Sequence, residues 1–409
     1  MNKELLEVDW VGNALRGIIN LEASKSESNR VLIINALAGG SGTIENLSEA
    51  RDTQTMSKLL NDTGEIWDVL DAGTTMRFLT AYAAVKGLKK SLTGTARMKE
   101  RPIQLLIDAL REIGVEIEYL EKEGFPPHRI IEFVGQGSAK IAIRGDVSSQ
   151  YISALLMIAP MLPRGLTLEL VGKVGSKPYI DMTLSLMELF GVEPNVDKNI
   201  IEIKPKPYVP ANYKVEPDWS GASYWYSMVA LAKSAEVKLI GLRKNSFQGD
   251  IAISDIMRNL GVSTQFEEDG VTLTKNNVLH TFEYDFSDCP DLAQTVSVAC
   301  GALQIPAIFK GLESLRIKET DRIAALQTEM AKFGAGLEEI STGVWRVAPG
   351  NDFPDKLEIN TYEDHRMAMA FAPLALMTKL YFDDASVVNK SYPSFWRHLD
   401  EIGFKVVKK

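Results

Sequence analysis

The stretch Arg111–Tyr119, REIGVEIEY, changes character at its glycine. Before Gly114 the chain reads as a helix ending on an apolar residue. After it, apolar and acidic residues alternate, as on a half-buried strand. Glycine suits the left-handed position that stops a helix, because it lacks the Cβ that makes this conformation costly. The same order returns in MELFGVEPNV, MRNLGVSTQF, MAKFGAGLEEI and LDEIGFKVV, at Gly191, Gly261, Gly334 and Gly403. A degraded sixth copy is read at Gly64 in KLLNDTGEIWDVL. The later copies recur about every 70 residues, which marks a structural repeat.

Further helix starts lie between these stops, each with a polar cap: GDVSSQYISALLMIA, DWSGASYWYSMVALA, SDCPDLAQTVSVACGAL and YEDHRMAMAFAPLAL. Ser and Asp there accept hydrogen bonds from the free N–H groups of a first turn. Each repeat therefore reads as strands alternating with two helices, an α/β class. With 409 residues the chain is too long for one core. Lys204–Gly221, KPKPYVPANYKVEPDWSG, carries four prolines and little periodicity, so it reads as a linker. Three repeats fall on either side. The expectation is two similar domains with a ligand site in the cleft between them.

Composition narrows the ligand. The net charge is −9, which disfavours general attraction to nucleic acid or anionic membrane. No apolar run reaches the roughly 20 residues of a membrane span. Met1–Trp10 carries acids and no apolar h-region, so no signal peptide is expected. Cys289 and Cys300 suffice for neither a disulfide framework nor a zinc cage, and a reducing cytoplasm fits. No phosphate-binding P-loop, dinucleotide glycine fingerprint, nucleophile elbow or metal-spaced histidine pair occurs. The expected chemistry is acid–base work with electrostatic stabilisation by cations, without metal or cofactor.

The cations gather at helix starts. Glu22–Arg30, EASKSESNR, precedes an apolar run, and six further clusters follow: TGTARMKERP, GDVSSQY, VGSKPYID, SLRIKETDRIAAL, YEDHRMAM and VVNKSYPSFW. Ser24 with Glu27 forms a capping box, which alone accounts for two residues of the first cluster. The spacing of Lys318 and Arg322 predicts one helical face. A helix N-terminus with added hydroxyls and guanidinium forks makes a receptor for phosphate and carboxylate. So many clusters in an acidic chain point to one or two small polyanions.

With SKSESNR, DAGTTMR, RMKERP, SSQYISALLM, SKPYID, RIKETDR, DHRMAM and NKSYP in this order, the chain resembles the 5-enolpyruvylshikimate-3-phosphate synthase family from about Gly17 onward. The resemblance implies two domains, each of three βαβαββ units (an inside-out α/β barrel), with the active site in the interdomain cleft. It makes one domain discontinuous, residues 1–21 plus 217–409, and the other 22–216. The implied substrates are shikimate 3-phosphate and phosphoenolpyruvate; a monomer is expected. Lys25, Ser26, Arg30, Ser148, Ser149, Gln150, Ser176, Tyr179, Asp291, Ser314 and Lys318 would bind shikimate 3-phosphate. Lys25, Gly73, Arg97, Gln150, Arg322, Arg366 and Lys390 would bind phosphoenolpyruvate. Asp291 would be the base near the attacking hydroxyl, and Glu319 and Lys25 would carry protons at the donor carbon. Lys390 and His365 would assist phosphate departure or organise the site.

Four departures from the family pattern stand out. Glu22-Ala23 replaces Pro-Gly, Asp71 replaces Asn, Ser314 replaces Asn, and the stretch from Arg51 to Asp71 is short, which trims the first unit. A bare carboxylate at Asp71 would be costly beside an anion, so it is expected to be paired with a cation, Arg77 or Arg97, or held by backbone N–H groups. Three alternative readings are a transferase acting on UDP-N-acetylglucosamine, a non-catalytic binder of phosphorylated metabolites, and a relative of the RNA 3′-phosphate cyclases. The first typically has a cysteine in the loop that here reads TGTARMKERP. The last expects a nucleotidyl-accepting histidine and nucleic-acid affinity.

Overall fold

A computed structural model describes residues 5–278 and 281–409. Part of the Met1–Trp10 reading therefore lies outside the described residues. Gly114, Gly191, Gly261, Gly334 and Gly403 all have φ between 77° and 112°. Each ends a helix and leads into the edge strand of a four-stranded sheet. Five such sheets share one plan. A first strand runs parallel to a second, which pairs antiparallel with a third, which pairs antiparallel with the edge strand. In the C-terminal sheet the third position is taken by Leu6–Trp10, between Lys379–Phe382 and Phe404–Lys408. Glu7, nearly buried there, accepts from Tyr381 Oη (3.2 Å) and faces Lys409 Nζ (3.3 Å).

The sixth copy is reduced. Its sheet is only the parallel pair Ile44–Glu45 with Tyr213–Lys214. Gly64 is not left-handed; its N–H is taken by Asp62 Oδ1 at 2.7 Å in a local turn. The antiparallel hairpin of the other copies is missing here among the described residues, within the stretch from Arg51 to Asp71.

The chain packs as two units, Met1–Ser24 with Glu216–Lys409, and Lys25–Val215. Within the first unit the crossing segments are pinned to each other. Ala23 forms an antiparallel bridge with Pro217, Ser24 N donates to Glu216 O (2.8 Å), and Asp218 N to Glu22 O (2.8 Å). Ala23 is not left-handed, so the missing family glycine is not needed here for its backbone freedom.

Helices lie inside and sheets outside. Every residue of Ala293–Ala302 and of His365–Phe371 is buried, whereas strands such as Val115–Tyr119 alternate buried and exposed. The helix AQTVSVACGA is made mostly of small and apolar residues and buries its polar ones, Gln294, Thr295 and Ser297, so it turns no face to water. The sheets stay separate and close into no barrel among the described residues. No described helix is long and apolar enough to cross a membrane. The interior helices begin at polar caps, Ser148, Asp218, Asp321 and Asp364, and this is where the charged motifs sit.

Gly114 gives the most direct test of the repeat. Its φ is 112°, and an added Cβ would lie 2.0 Å from the carbonyl oxygen of Gly135. Gly114→Ala is expected to cost at least about 1–2 kcal/mol from the left-handed backbone alone, more with the displaced carbonyl. Gly64→Ala meets only the Asp62 side chain, at 3.0 Å, and should stay within about 0.5 kcal/mol. Thermal midpoints of the two variants decide it, and equal shifts would overturn the reading of Gly114.

Candidate active site

In the unit Lys25–Val215, the helix Lys25–Leu37 buries much of its polar N-terminal half, including Glu27, Ser28, Asn29 and Arg30. Glu27, read above as half of a capping box, accepts from the Tyr213 hydroxyl. Arg30 donates to Thr183 Oγ1 (2.7 Å), Ser153 Oγ (3.1 Å) and the Ser26 carbonyl (2.8 Å). It also lies over the rings of Phe78 and Tyr179, at 5.4 and 5.9 Å. Burial lowers its pKa to about 10, against opposing pulls from Tyr179 and Glu27, so it stays charged at neutral pH. Thr183, Ser153 and Ser26 offer it neutral oxygens, so among the described residues no carboxylate is seen to cancel its charge at contact. Lys25 Nζ sits 3.4 Å from Asp52 Oδ2.

The start of the helix Gly73–Val85 meets that of Ser149–Ile158, since Gln150 Nε2 donates to Thr74 Oγ1 at 3.1 Å. Ser148 caps the second helix through Gln150 N (3.4 Å), and Ser149 is buried. Ser176 precedes the helix Lys177–Leu189 at φ 53° without capping it. A left-handed non-glycine residue costs about 1–2 kcal/mol, and such strain concentrates at functional sites. Arg97 lies on the surface against Glu100 (2.9 Å), an exposed pair that is easily exchanged. Arg101 is the cation placed at Gly73: a Cβ there would lie 2.7–2.9 Å from its guanidinium atoms. Asp71 does carry a cation, Arg51, whose Nη2 contacts its two oxygens at 2.8 and 3.0 Å. Arg77 reaches instead to the carbonyls of Gly73 and Pro102.

The other unit holds a denser cluster. Arg322, whose side chain is 2% exposed, donates to Asp364 Oδ2 (2.7 Å), Glu319 Oε2 (2.9 Å) and Asp291 Oδ1 (3.2 Å). Arg366 donates to Asp291 Oδ2 (2.7 Å) and lies 3.3 Å from the Tyr224 hydroxyl. Lys390, also 2% exposed, is 3.4 Å from Glu319. Burial would raise the Asp291 carboxyl, but Arg366, Lys318 and Arg322 outweigh it and hold it well below the usual range. Burial opposes the charge of Arg322, yet Asp364, Glu319 and Asp291 overcome this and raise its pKa. Behind Arg366, Asp250 moves the other way. Burial and the neighbouring Asp291 push it up to about 7, against Arg366 and the Ser220 hydroxyl.

Exposure sorts the carboxylates. Asp364 is fully buried, whereas the side chains of Asp291 and Glu319 are 19% and 15% exposed. Asp364 is thus a permanent counter-ion, and Asp291 and Glu319 are the contacts an incoming anion can replace. Asp364 also caps its own helix through Arg366 N (2.8 Å). That cap is legible in YEDHRMAM as an Asp ahead of an apolar run; the pairing of Asp364 with Arg322 is not.

Contrary to what their spacing predicts, Lys318 and Arg322 do not share a helical face. The helix begins at Arg322 because Asp321 Oδ1 caps it, accepting from Ile323 N and Ala324 N, both at 3.1 Å. Lys318 closes the preceding turn Glu313–Ile317, and it reaches the same field because both cations act on Asp291. In that turn the buried Ser314 Oγ has no hydrogen-bond partner among the described residues. His365 is buried with Nδ1 3.7 Å from Asp364. Asp250, Ser220, Arg51 and Asp52 escaped the sequence reading, since none belongs to a run of cations.

Comparison with known proteins gives a consistent picture. A family model described as EPSP synthase (3-phosphoshikimate 1-carboxyvinyltransferase) matches residues 11–70 and 61–399. A 3-phosphoshikimate 1-carboxyvinyltransferase of Bacteroides fragilis is 48% identical over 400 residues, covering 96% of each chain. One of Mannheimia haemolytica is 36% identical over 426 residues, covering 96% of this chain and 98% of its own. A solved structure of EPSP synthase from Acinetobacter baumannii superposes with a TM-score of 0.80, covering 99% of this chain and all of that one. At 18% identity that likeness speaks for the fold.

Proposed function

The chain belongs to the EPSP synthase family, and on that premise we propose that it transfers the enolpyruvyl group of phosphoenolpyruvate to the 5-hydroxyl of shikimate 3-phosphate, releasing phosphate. The observation that carries this reading is Asp291 held between Arg322 and Arg366, with Lys390 and Glu319 beside them. It sets an anionic base next to cations that suit a small dianionic or trianionic donor.

The reaction is addition followed by elimination. The 5-hydroxyl attacks C2 of phosphoenolpyruvate while C3 gains a proton. The tetrahedral intermediate then loses phosphate and a C3 proton. Arg322, Arg366 and Lys390 bind the donor, with Arg97, Gly73, Gln150 and Lys25. Lys318, Arg30, Ser26, Ser148, Ser149, Ser176, Gln150, Tyr179 and Ser314 bind shikimate 3-phosphate. In the resting protein the cations hold Asp291 at low proton affinity. Donor anions that pair with Arg322 and Arg366 offset that field, so Asp291 becomes a stronger base when the donor is in place. Glu319 sits between Arg322 (2.9 Å) and Lys390 (3.4 Å). It becomes able to pass a proton to C3 only as those cations turn to substrate. Action as a monomer in the cytoplasm belongs to the same proposal. It is consistent with two cysteines that are both free and buried.

Phosphate release from phosphoenolpyruvate, measured with and without shikimate 3-phosphate, tests the reading. Release that depends on shikimate 3-phosphate is expected. Release with UDP-N-acetylglucosamine instead would transfer the assignment to the other acceptor, and no release with either would leave a binder.

A further inference from the structure

Asp250 lies in the short turn Gly249–Ala252 and is 4% exposed. Its Oδ2 accepts from the Ser220 hydroxyl, and its buried Oδ1 has no hydrogen-bond partner among the described residues. Ser220 Oγ in turn lies 3.5 Å from Arg366 Nη2, the atom that donates to Asp291 Oδ2 at 2.7 Å. A buried carboxyl, hydroxyl and guanidinium thus lead in one chain to the partly exposed carboxyl of Asp291. We propose that Asp250 is a positioning residue for the reaction: through Ser220 it sets the charge balance of the Arg366 guanidinium, and through Arg366 the basicity of Asp291. This rests on the reading of Asp291 as the base.

A purely structural acceptor for Ser220 would not need a carboxyl. An amide oxygen would serve, without the cost of burying an ionisable group that has one idle oxygen. The groups facing Asp250 explain what the carboxyl adds. Asp291 and the capping Asp218 favour its neutral form, and Arg366 and Ser220 favour its ionised form. The Cys289 thiol, which burial and Asp250 push up to about 12, stays neutral throughout. The balance puts the Asp250 proton near neutrality, where it can be gained or lost in working conditions.

The two forms act differently on the site. Neutral Asp250 leaves Arg366 to Asp291 and to the donor anion. Ionised Asp250 places a second negative charge behind Arg366. This raises the proton affinity of Asp291 and weakens the hold of Arg366 on an incoming carboxylate. As pH rises through about 7, the position pushed up by burial and Asp291, kcat and the KM for phosphoenolpyruvate should therefore rise together.

The experiment is a pair of pH profiles, for kcat and for the phosphoenolpyruvate KM, in wild type, Asp250→Asn and Ser220→Ala, with Asp291→Asn alongside. Substrate phosphates titrate near pH 6, but equally for every variant, so only differences between proteins count. Asp250→Asn should lose both rises and keep the low KM across the range. Ser220→Ala should move their midpoint, and it carries the test if Asp250→Asn does not fold. Rises with unchanged midpoints in both variants would overturn the proposal, as would a wild-type profile without them. Turnover at the wild-type rate in Asp291→Asn would instead remove the base reading, whatever Asp250 does.

Discussion

Asp291→Asn is expected to lower turnover by about two to four orders of magnitude, the range for a lost general acid or base, without weakening phosphoenolpyruvate. The carboxylate has two functions that pull apart on substitution. It accepts a proton from the attacking hydroxyl, which an amide cannot do. It also occupies Arg322 at 3.2 Å and Arg366 at 2.7 Å. An amide in its place leaves both guanidinium groups with less negative charge, so they bind a donor anion at least as tightly. The fold should persist, because Asn matches Asp in shape and Asp364 still compensates Arg322. Steady-state kinetics with calorimetry of phosphoenolpyruvate, in the presence of shikimate 3-phosphate, separates the two functions. A wild-type kcat with a raised KM would show that Asp291 only binds.

The largest effect on stability is expected at Asp364. Its carboxylate is fully buried, takes Arg322 Nε at 2.7 Å and Nη2 at 3.3 Å, and caps the helix His365–Phe371. Asp364→Ala strips a nearly buried guanidinium of its innermost counter-ion and opens the cap. Breaking one partner of a buried pair costs about 3–5 kcal/mol, because the remaining charge cannot reach water. Asp364→Asn should cost less, since the amide oxygen still accepts from Arg366 N. A chain of two packed units need not unfold in one step, so the transition of the relevant unit must be followed. Tryptophan fluorescence does this: Trp10, Trp219, Trp225, Trp345 and Trp396 all lie in the unit that holds Asp364. A shift below about 1 kcal/mol in Asp364→Ala, no more than an ordinary point mutation, would refute the buried counter-ion.

How far the molecule is legible in its sequence depends on how local each decision is. The helix stops at Gly114, Gly191, Gly261, Gly334 and Gly403 can be read directly, because a left-handed residue is chosen by its own missing Cβ. Gly64 has the polar neighbours Thr63 and Glu65 where the other copies have apolar ones, and its backbone differs too, since Asp62 closes a turn on its N–H. The caps at Ser148, Asp218, Asp321 and Asp364 are equally local, each accepting from an N–H two or three residues on. The helix start at Arg322 is just as local, because the Asp321 cap ends any continuity with the four-residue spacing from Lys318.

The repeat, the buried helices with charged starts and the family can be read from the chain, because each rests on short-range geometry or ordered motifs. Which charge meets which is settled by the fold. Arg51 answers Asp71 across 20 residues, Asp364 answers Arg322 across 42, and Arg366 answers Asp291 across 75. The strand Leu6–Trp10 finds its place beside Phe404–Lys408 at the far end of the chain. Such pairings are set by distance in space and by the loss of water around each ion. Neither is written in the spacing of residues along the chain.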